Sequence, residues 1–351
     1  MQIENFFKTI LFKEGFVVED INNFSFEQSR LIFNDYANDG PLKFDIEENK
    51  YDVTFSKSDC FDLEKVPLLI PIRNMSGLLE YTITNLISNS ADIHANIIVI
   101  DDRSDDSIQK VCSKYSQVSY IRCDYDSSFN YAMLANIGSY IAKSFGFKEV
   151  IFWNSDMYLP DDKTLGRLIA KHRDNKPVLS GTKLAFPYKN WKGESFGIAK
   201  QSGEMDYSKQ GKVQFGGSSF LFDNNRVKFF HIKVGADLDN LYVNCDKGAL
   251  VNTGAYTMAD LDWLVATGGL NPSFAKIFND VDLCLRALVE KKSVHYYGKD
   301  TYLYHEESTN MNSIGEEKQD HQFLSDAMLF TKVWDTKSFN QAIINNGISN
   351  E

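Results

Sequence analysis

Four segments of strand length between residues 66 and 153 constrain this chain more than any other feature: the apolar runs Val66-Pro-Leu-Leu-Ile-Pro-Ile, Asn96-Ile-Ile-Val-Ile and Glu149-Val-Ile-Phe-Trp, and the strand-like segment 118–123. Each ends in polar residues, and helical spacing appears over Leu78 to Ile87 and Tyr131 to Phe145. A short continuous apolar run reads as a strand buried on both faces, and strands separated by helices pair side by side through crossovers. The pattern predicts an α/β fold with a mostly parallel central sheet flanked by helices.

From Pro177 the texture changes to shorter strands and Gly-rich turns, among them Gln214-Phe-Gly-Gly-Ser-Ser-Phe-Leu-Phe and Thr253-Gly-Ala-Tyr-Thr-Met. A helix over Asp280 to Glu290 leads into strands over Ser293 to Tyr297 and Tyr302 to His305. No linker or repeat divides this region, so residues 66–310 read as one catalytic-type domain. A C-terminal extension over 311–351 follows, helical over 317–336, with a polar tail from Ile344 to Glu351. Residues 1–65 carry a candidate amphipathic helix over Phe6 to Val18 and an alternating stretch over Lys43 to Phe55, and read as a small N-terminal accessory segment.

Charge narrows the function classes. Lys and Arg total 37 against 48 Asp and Glu, a net −11, and residues 1–65 hold 14 acids and 7 bases, which leaves only −4 for the rest. Such a balance argues against a nucleic-acid binder, which would carry a basic face. Five scattered cysteines with no C-x-x-C pair suit a reducing compartment. No apolar stretch approaches the roughly 18 residues of a membrane span, and Met1-Gln-Ile-Glu-Asn lacks the basic start of a signal peptide. The expected location is cytoplasmic, with at most peripheral association at the inner face of the membrane.

In open α/β sheets ligands gather beyond the carboxyl ends of the strands. Three acidic clusters lie at such places: Asp101 with Asp102, Asp156, and Asp280 with Asp282. Each alone reads equally well as a helix cap or a first-turn acid. The chain has no phosphate-binding G-x-x-x-x-G-K-[ST] loop, no G-x-G-x-x-G turn and no G-x-S-x-G elbow, and Thr309 stands where His305-Glu-Glu-Ser would need a second His to make a zinc protease motif. With few bases beside these acids in sequence, a phosphate-bearing ligand would need a divalent cation, which takes oxygen ligands and binds through one or two protein groups plus the phosphates.

Taken in order, Val66-Pro-Leu-Leu-Ile-Pro-Ile-Arg-Asn, Ile97-Ile-Val-Ile-Asp-Asp-Arg-Ser-Asp-Asp, Asn154-Ser-Asp-Met, Thr253-Gly-Ala-Tyr-Thr-Met, Gly268-Gly-Leu-Asn-Pro-Ser-Phe, Phe278-Asn-Asp-Val-Asp-Leu-Cys-Leu-Arg and Leu303-Tyr-His-Glu-Glu-Ser resemble the motifs of family 2 glycosyltransferases with the GT-A fold. The likeness spans about residues 66–310 and looks closest to the bacterial enzymes of O-antigen, capsule and related surface glycans. It implies a nucleotide pocket lined by Pro71, Arg73, Asn74, Asp101 or Asp102, Asn136, Asn154 and Ser155, with Gly138 in the same helix as Asn136. Asp156 and His305 would hold Mn²⁺ or Mg²⁺, although Asn154 replaces the first acid of the family's Asp-x-Asp. Asp280 would be the general base of an inverting transfer, with Asn279 in place of the family's Glu. Gly216, Gly217, Gly268 and Gly269 would shape loops on the acceptor and donor-sugar side, or serve as plain turns. Asp282 and Arg286, four apart on one helix, read as a supporting ion pair, and Trp153 and Trp334 as packing.

The implied partners are a nucleotide-diphosphate sugar and a glycan or lipid-linked glycan acceptor. The substituted Asn154 and Asn279, with the unassigned first 65 residues, keep open a second reading: a non-catalytic GT-A module that binds glycan or nucleotide as a subunit of a larger synthase. Metal-dependent release of nucleotide diphosphate without acceptor separates the two.

Overall fold

The computed structural model describes residues 42–46, 51–89, 95–105, 107–125, 129–200, 204–223, 226–306, 323, 326–331, 333–334 and 339. The helix expected over Phe6 to Val18 and the tail from Ile344 lie outside them. Six strands come first: β1 (Leu42–Ile46), β2 (Tyr51–Ser56), β3 (Val66–Ile72), β4 (Ala95–Asp102), β5 (Val118–Tyr125) and β6 (Glu149–Trp153). Helix α1 (Ser76–Ser88) follows β3, α2 (Ile108–Cys112) follows β4, and α3 (Tyr131–Ser144) follows β5. The chain continues through β7 (Met157–Tyr158), α4 (Thr164–Asn175), β8 (Leu179–Thr182), β9 (Leu184–Ala185), β10 (Ile198–Ala199), β11 (Met205–Asp206) and β12 (Val213–Phe215). It then forms a hairpin of β13 (Ser218–Asp223) and β14 (Arg226–His231), followed by β15 (Asp246–Gly248), β16 (Tyr256–Asp260), α5 (Leu261–Ala266), α6 (Asn279–Val289), β17 (Val294–Tyr297) and β18 (Leu303–His305).

Every residue of β3 and β4 is buried, as two-sided strands require. The two-residue period sorts them between two cores. Leu68, Ile70, Ile72, Ile97 and Val99 pack with residues of α1, α2 and α4, whereas Leu69, Ile98 and Ile100 pack with residues of α3, α5 and α6. Full burial of each such side chain contributes roughly 1.5–3 kcal/mol, so the strand runs, not the turns, hold the frame together. Gly138 lets α3 approach this sheet: a Cβ there would stand 2.5 Å from Ile100 and 2.9 Å from Leu69.

The main sheet has ten strands in the order β1-β2-β5-β4-β3-β6-β16-β8-β17-β15. Its centre, β5-β4-β3-β6, is parallel, as the strand and helix alternation predicts. Antiparallel ladders then widen it. β16 runs antiparallel to both β6 and β8, and β2 runs antiparallel to β5 over six residue pairs, from Tyr51↔Tyr125 to Ser56↔Tyr120. Residues 42–46 and 51–56 within the N-terminal segment thus extend the same sheet, and Val53 and Phe55 enter its core. A second sheet, β12-β9-β18-β7, stands beyond β6 in sequence and joins residues near 157, 184, 214 and 304.

Candidate active site

The turn Asn154-Ser155-Asp156 leaves the carboxyl end of β6. It is fixed by Asn154 N donating to the Ala255 carbonyl at 2.9 Å, by Met157 N donating to the Asn154 carbonyl at 3.2 Å, and by the Thr82 hydroxyl on the Ser155 carbonyl. Strand β18 pairs antiparallel with β7 so that His305 lies opposite Met157. This register brings His305 Nε2 to 3.3 Å from Asp156 Oδ1, with both residues buried. On the other side of the ring, His305 Nδ1 meets Gln214 Oε1 at 2.8 Å. An amide oxygen only accepts, so Nδ1 carries the hydrogen and, in the neutral ring, Nε2 presents its lone pair toward Asp156. A neutral imidazole held through its far nitrogen, beside a carboxylate, is a donor pair that fits a divalent cation. Among the described residues no group of three or more His, Cys, Asp or Glu could hold a metal. Two protein ligands suit a hard cation that completes its shell with phosphates and water.

Asp280 faces the same space from α6. The helix starts at Phe278, whose left-handed φ of 67° turns the chain into it. Asp280 Oδ2 accepts from Gly254 N at 2.7 Å and Oδ1 from Val281 N at 2.8 Å. Burial raises the pKa of this carboxyl, and those hydrogen bonds, with the charge of His231, only partly offset it. Tyr131 donates its hydroxyl to the Gly254 carbonyl at 2.9 Å, and burial, then the charges of Asp280 and Asp156, push its phenol up. Asn279 is spent on structure, its amide donating to the Phe274 carbonyl at 3.2 Å.

A cavity of about 510 Å³ joins these groups, and Pro71, Asn154, Ser155, Asp156, Asn279, Asp280 and His305 all line it. Tyr131 and His231 line it as well, and Gln214 supports it from behind. Sequence reasoning assigned no role to these three. Each reaches the site by a long-range pairing that leaves no local signal: Gln214 is 91 residues from His305, and His231 lies opposite Ser218 at the open end of the β13–β14 hairpin.

The remaining candidates lie outside the cavity lining. At the ends of β3 and β4, Asn74 N donates to Ser104 Oγ at 2.7 Å and Asn74 Oδ1 accepts from Asp105 N at 2.7 Å, so the two loops interlock. Asn74 and Met75 both take left-handed backbone, with φ of 60° and 63°. Asp101 accepts from Ser104 N, from the Ser104 hydroxyl, from the Tyr120 hydroxyl at 2.6 Å and from Arg122 at 2.8 Å. Asp102 pairs with Arg103 at 3.2 Å and stands 3.8 Å from Arg73. Beside the adjacent Arg103, the fold thus brings Arg73 and Arg122 from distant parts of the sequence onto these acids. Asn136 exchanges two hydrogen bonds with the backbone of Leu270, at 2.8 Å each. Gly269, with φ of 74°, makes room for that exchange, since a Cβ there would fall 2.3 Å from Asn136 Oδ1. Gly268 also has positive φ, Gly217 has φ of 101°, and Gly216 packs against Val243 and the Ile232 carbonyl. Asp282 and Arg286 form the expected ion pair at 2.9 Å, and Trp153 is fully buried against Tyr256.

Residues 68–233 match the sequence model of the family described as Glycosyl transferase family 2. No curated protein matches the chain. Solved structures resemble it at low identity. One is GalNAc-T7 with UDP, GalNAc and Mn²⁺, at 12% identity and a TM-score of 0.49, covering 70% of this chain. The likeness takes in 44% of that protein, so this chain spans less than half its length. Another is S. aureus TarS, at 12% identity and 0.45, covering 76% of this chain and 72% of that one. The mannosyltransferase PcManGT from Pyrobaculum calidifontis, in complex with GDP-Man and Mn²⁺, has 9% identity and 0.43, covering 97% and 85%. Among the described residues no helix is long and apolar enough to cross a membrane.

Proposed function

Since residues 68–233 match the model of glycosyl transferase family 2, we propose that the cavity is the site of an inverting sugar transfer from a nucleotide-diphosphate sugar to a hydroxyl of a glycan or lipid-linked glycan. What supports this most is the convergence of Asp156, His305 and Asp280 on one cavity at the carboxyl ends of the parallel strands. The donor lies along the loops after β3, β4 and β6, with Pro71, Asn154 and Ser155 nearest the cavity and Arg73, Asn74, Asp101, Asp102 and Asn136 shaping the loops around it. Asp156 and His305 would hold Mn²⁺ or Mg²⁺, which when bound would neutralise charge on the diphosphate.

Asp280 accepts the proton of the acceptor hydroxyl as that oxygen forms its bond to the anomeric carbon. The bond from that carbon to the diphosphate oxygen breaks on the opposite face, and its electron pair leaves with the nucleotide. One displacement of this kind inverts the anomeric configuration. Two amide donors hold the Asp280 carboxylate in place, while burial lifts its basicity toward what a general base needs. Tyr131 donates to the Gly254 carbonyl, and the Gly254 amide in turn holds Asp280, so Tyr131 helps to fix that carboxylate. The setting we infer is bacterial surface polysaccharide synthesis at the cytoplasmic side. Replacing Asp280 with Asn is expected to lower transfer by about 10²-fold or more while nucleotide affinity stays near wild type. Full turnover by that variant would remove Asp280 as the base.

A further inference from the structure

The segment that carries Asp280 is held from behind by a part of the chain far beyond the family match. Three contacts converge on residues 276–282 from the C-terminal segment, which is helical over 326–331. The fully buried Asp326 accepts from Lys276 N and from Ile277 N at 3.0 Å each, both on Oδ2. Phe330 stacks on Phe278 with ring centroids 4.5 Å apart and planes 22° apart. Trp334 Nε1 donates to Asp282 Oδ1 at 2.9 Å.

These contacts meet at a strained point. Phe278 has φ of 67°, and a bulky residue keeps left-handed backbone only where its surroundings over-determine it. Here Asp326 fixes the two residues before it, Phe330 covers its ring, and Asp280 follows two positions later. The same segment also backs the β13–β14 part of the cavity lining. Phe229 meets Phe330 at 5.8 Å and Phe339 at 5.7 Å, and Phe220 meets Phe339 at 4.7 Å, all edge to face. Phe229, Ile277, Phe278 and Asp280 line the cavity, whereas no described residue of the C-terminal segment does.

We propose that the C-terminal segment is a latch that sets Asp280 and the β13–β14 wall as one unit, with Asp326 and Phe330 as positioning residues for transfer and no part in donor binding. This rests on the transfer reaction proposed above. Its signature is a split between kcat and nucleotide affinity, because the donor loops hang from β3, β4 and β6 while these contacts grip the start of α6 and the β13–β14 wall.

The test is nucleotide release by the full chain, with Mn²⁺ and whichever nucleotide sugar the wild type turns over, alongside nucleotide Kd. Asp326→Ala is expected to lower kcat by about 10²-fold, the scale of a displaced reacting group, with Kd near wild type. Asp326→Asn, whose amide oxygen can still accept both N–H groups, should recover most of that loss, and Phe330→Leu carries the same expectation as Asp326→Ala if the latter fails to fold. Turnover by the wild type with wild-type kcat in Asp326→Ala and Phe330→Leu, a Kd that rises as kcat falls, or no recovery by Asp326→Asn would overturn the latch alone. A wild-type chain inert toward every nucleotide sugar would remove the transfer reading and the latch with it.

Discussion

Asp280 sits where a carboxylate is costly to ionise, and that gives its chemistry a readable pH signature. Burial raises its pKa, against the pull of Gly254 N, Val281 N and the charge of His231. A base works only when deprotonated, so the rate should fall on acidification with a midpoint above the ~3.9 of an ordinary Asp. A kcat profile flat down to that value would contradict the assignment. Asp156, His305 and Asp280 were legible in the sequence because strand ends and local motifs mark them. Tyr131, His231 and Gln214 were not, since what makes them matter is proximity created by β18 pairing with β7 and by the hairpin register. Asp101 shows the opposite case: its place at a strand end is plain in the sequence, while its saturation by Ser104, Tyr120 and Arg122 is visible only in three dimensions.

Among the elements, the loop from Gly268 to Phe274 ties α3 to the stretch before α6, and Asn136 holds it together with Arg286 on the Gly269 carbonyl and Asn130 on the Pro272 carbonyl. Asn136 satisfies both the N–H and the carbonyl of Leu270, and Gly269 is the position that permits it. Gly269→Ala would force left-handed backbone on an alanine and push its Cβ into the Asn136 amide. The expected loss is about 2 kcal/mol or more of unfolding free energy, measured in denaturant. A change within about 0.5 kcal/mol, the range of ordinary surface substitutions, would mean that the loop relaxes without cost. The parallel strands and the helices after them could be read from periodicity, because local apolar spacing encodes them. The partner of β2 could not be read, since alternation over 43–55 says that a strand forms but nothing of its pairing with β5 some seventy residues on.

For the whole molecule, the unequal charge found in the sequence takes on a physical meaning. The acids outside the first 65 residues that matter most gather at strand ends, where Asp101 and Asp102 are balanced by Arg73, Arg103 and Arg122, whereas Asp156 and Asp280 face an open cavity. A cavity that holds two carboxylates repels a diphosphate unless a cation stands between them. The most direct measurement of the central claim is therefore nucleotide diphosphate release from a panel of nucleotide sugars, with and without Mn²⁺, by the wild type and by Asp156→Ala. The account predicts Mn²⁺-dependent release by the wild type from at least one sugar nucleotide, and weakened metal-dependent nucleotide binding with little release in Asp156→Ala. Release that ignores both Mn²⁺ and Asp156, or none from any member of the panel, would contradict it.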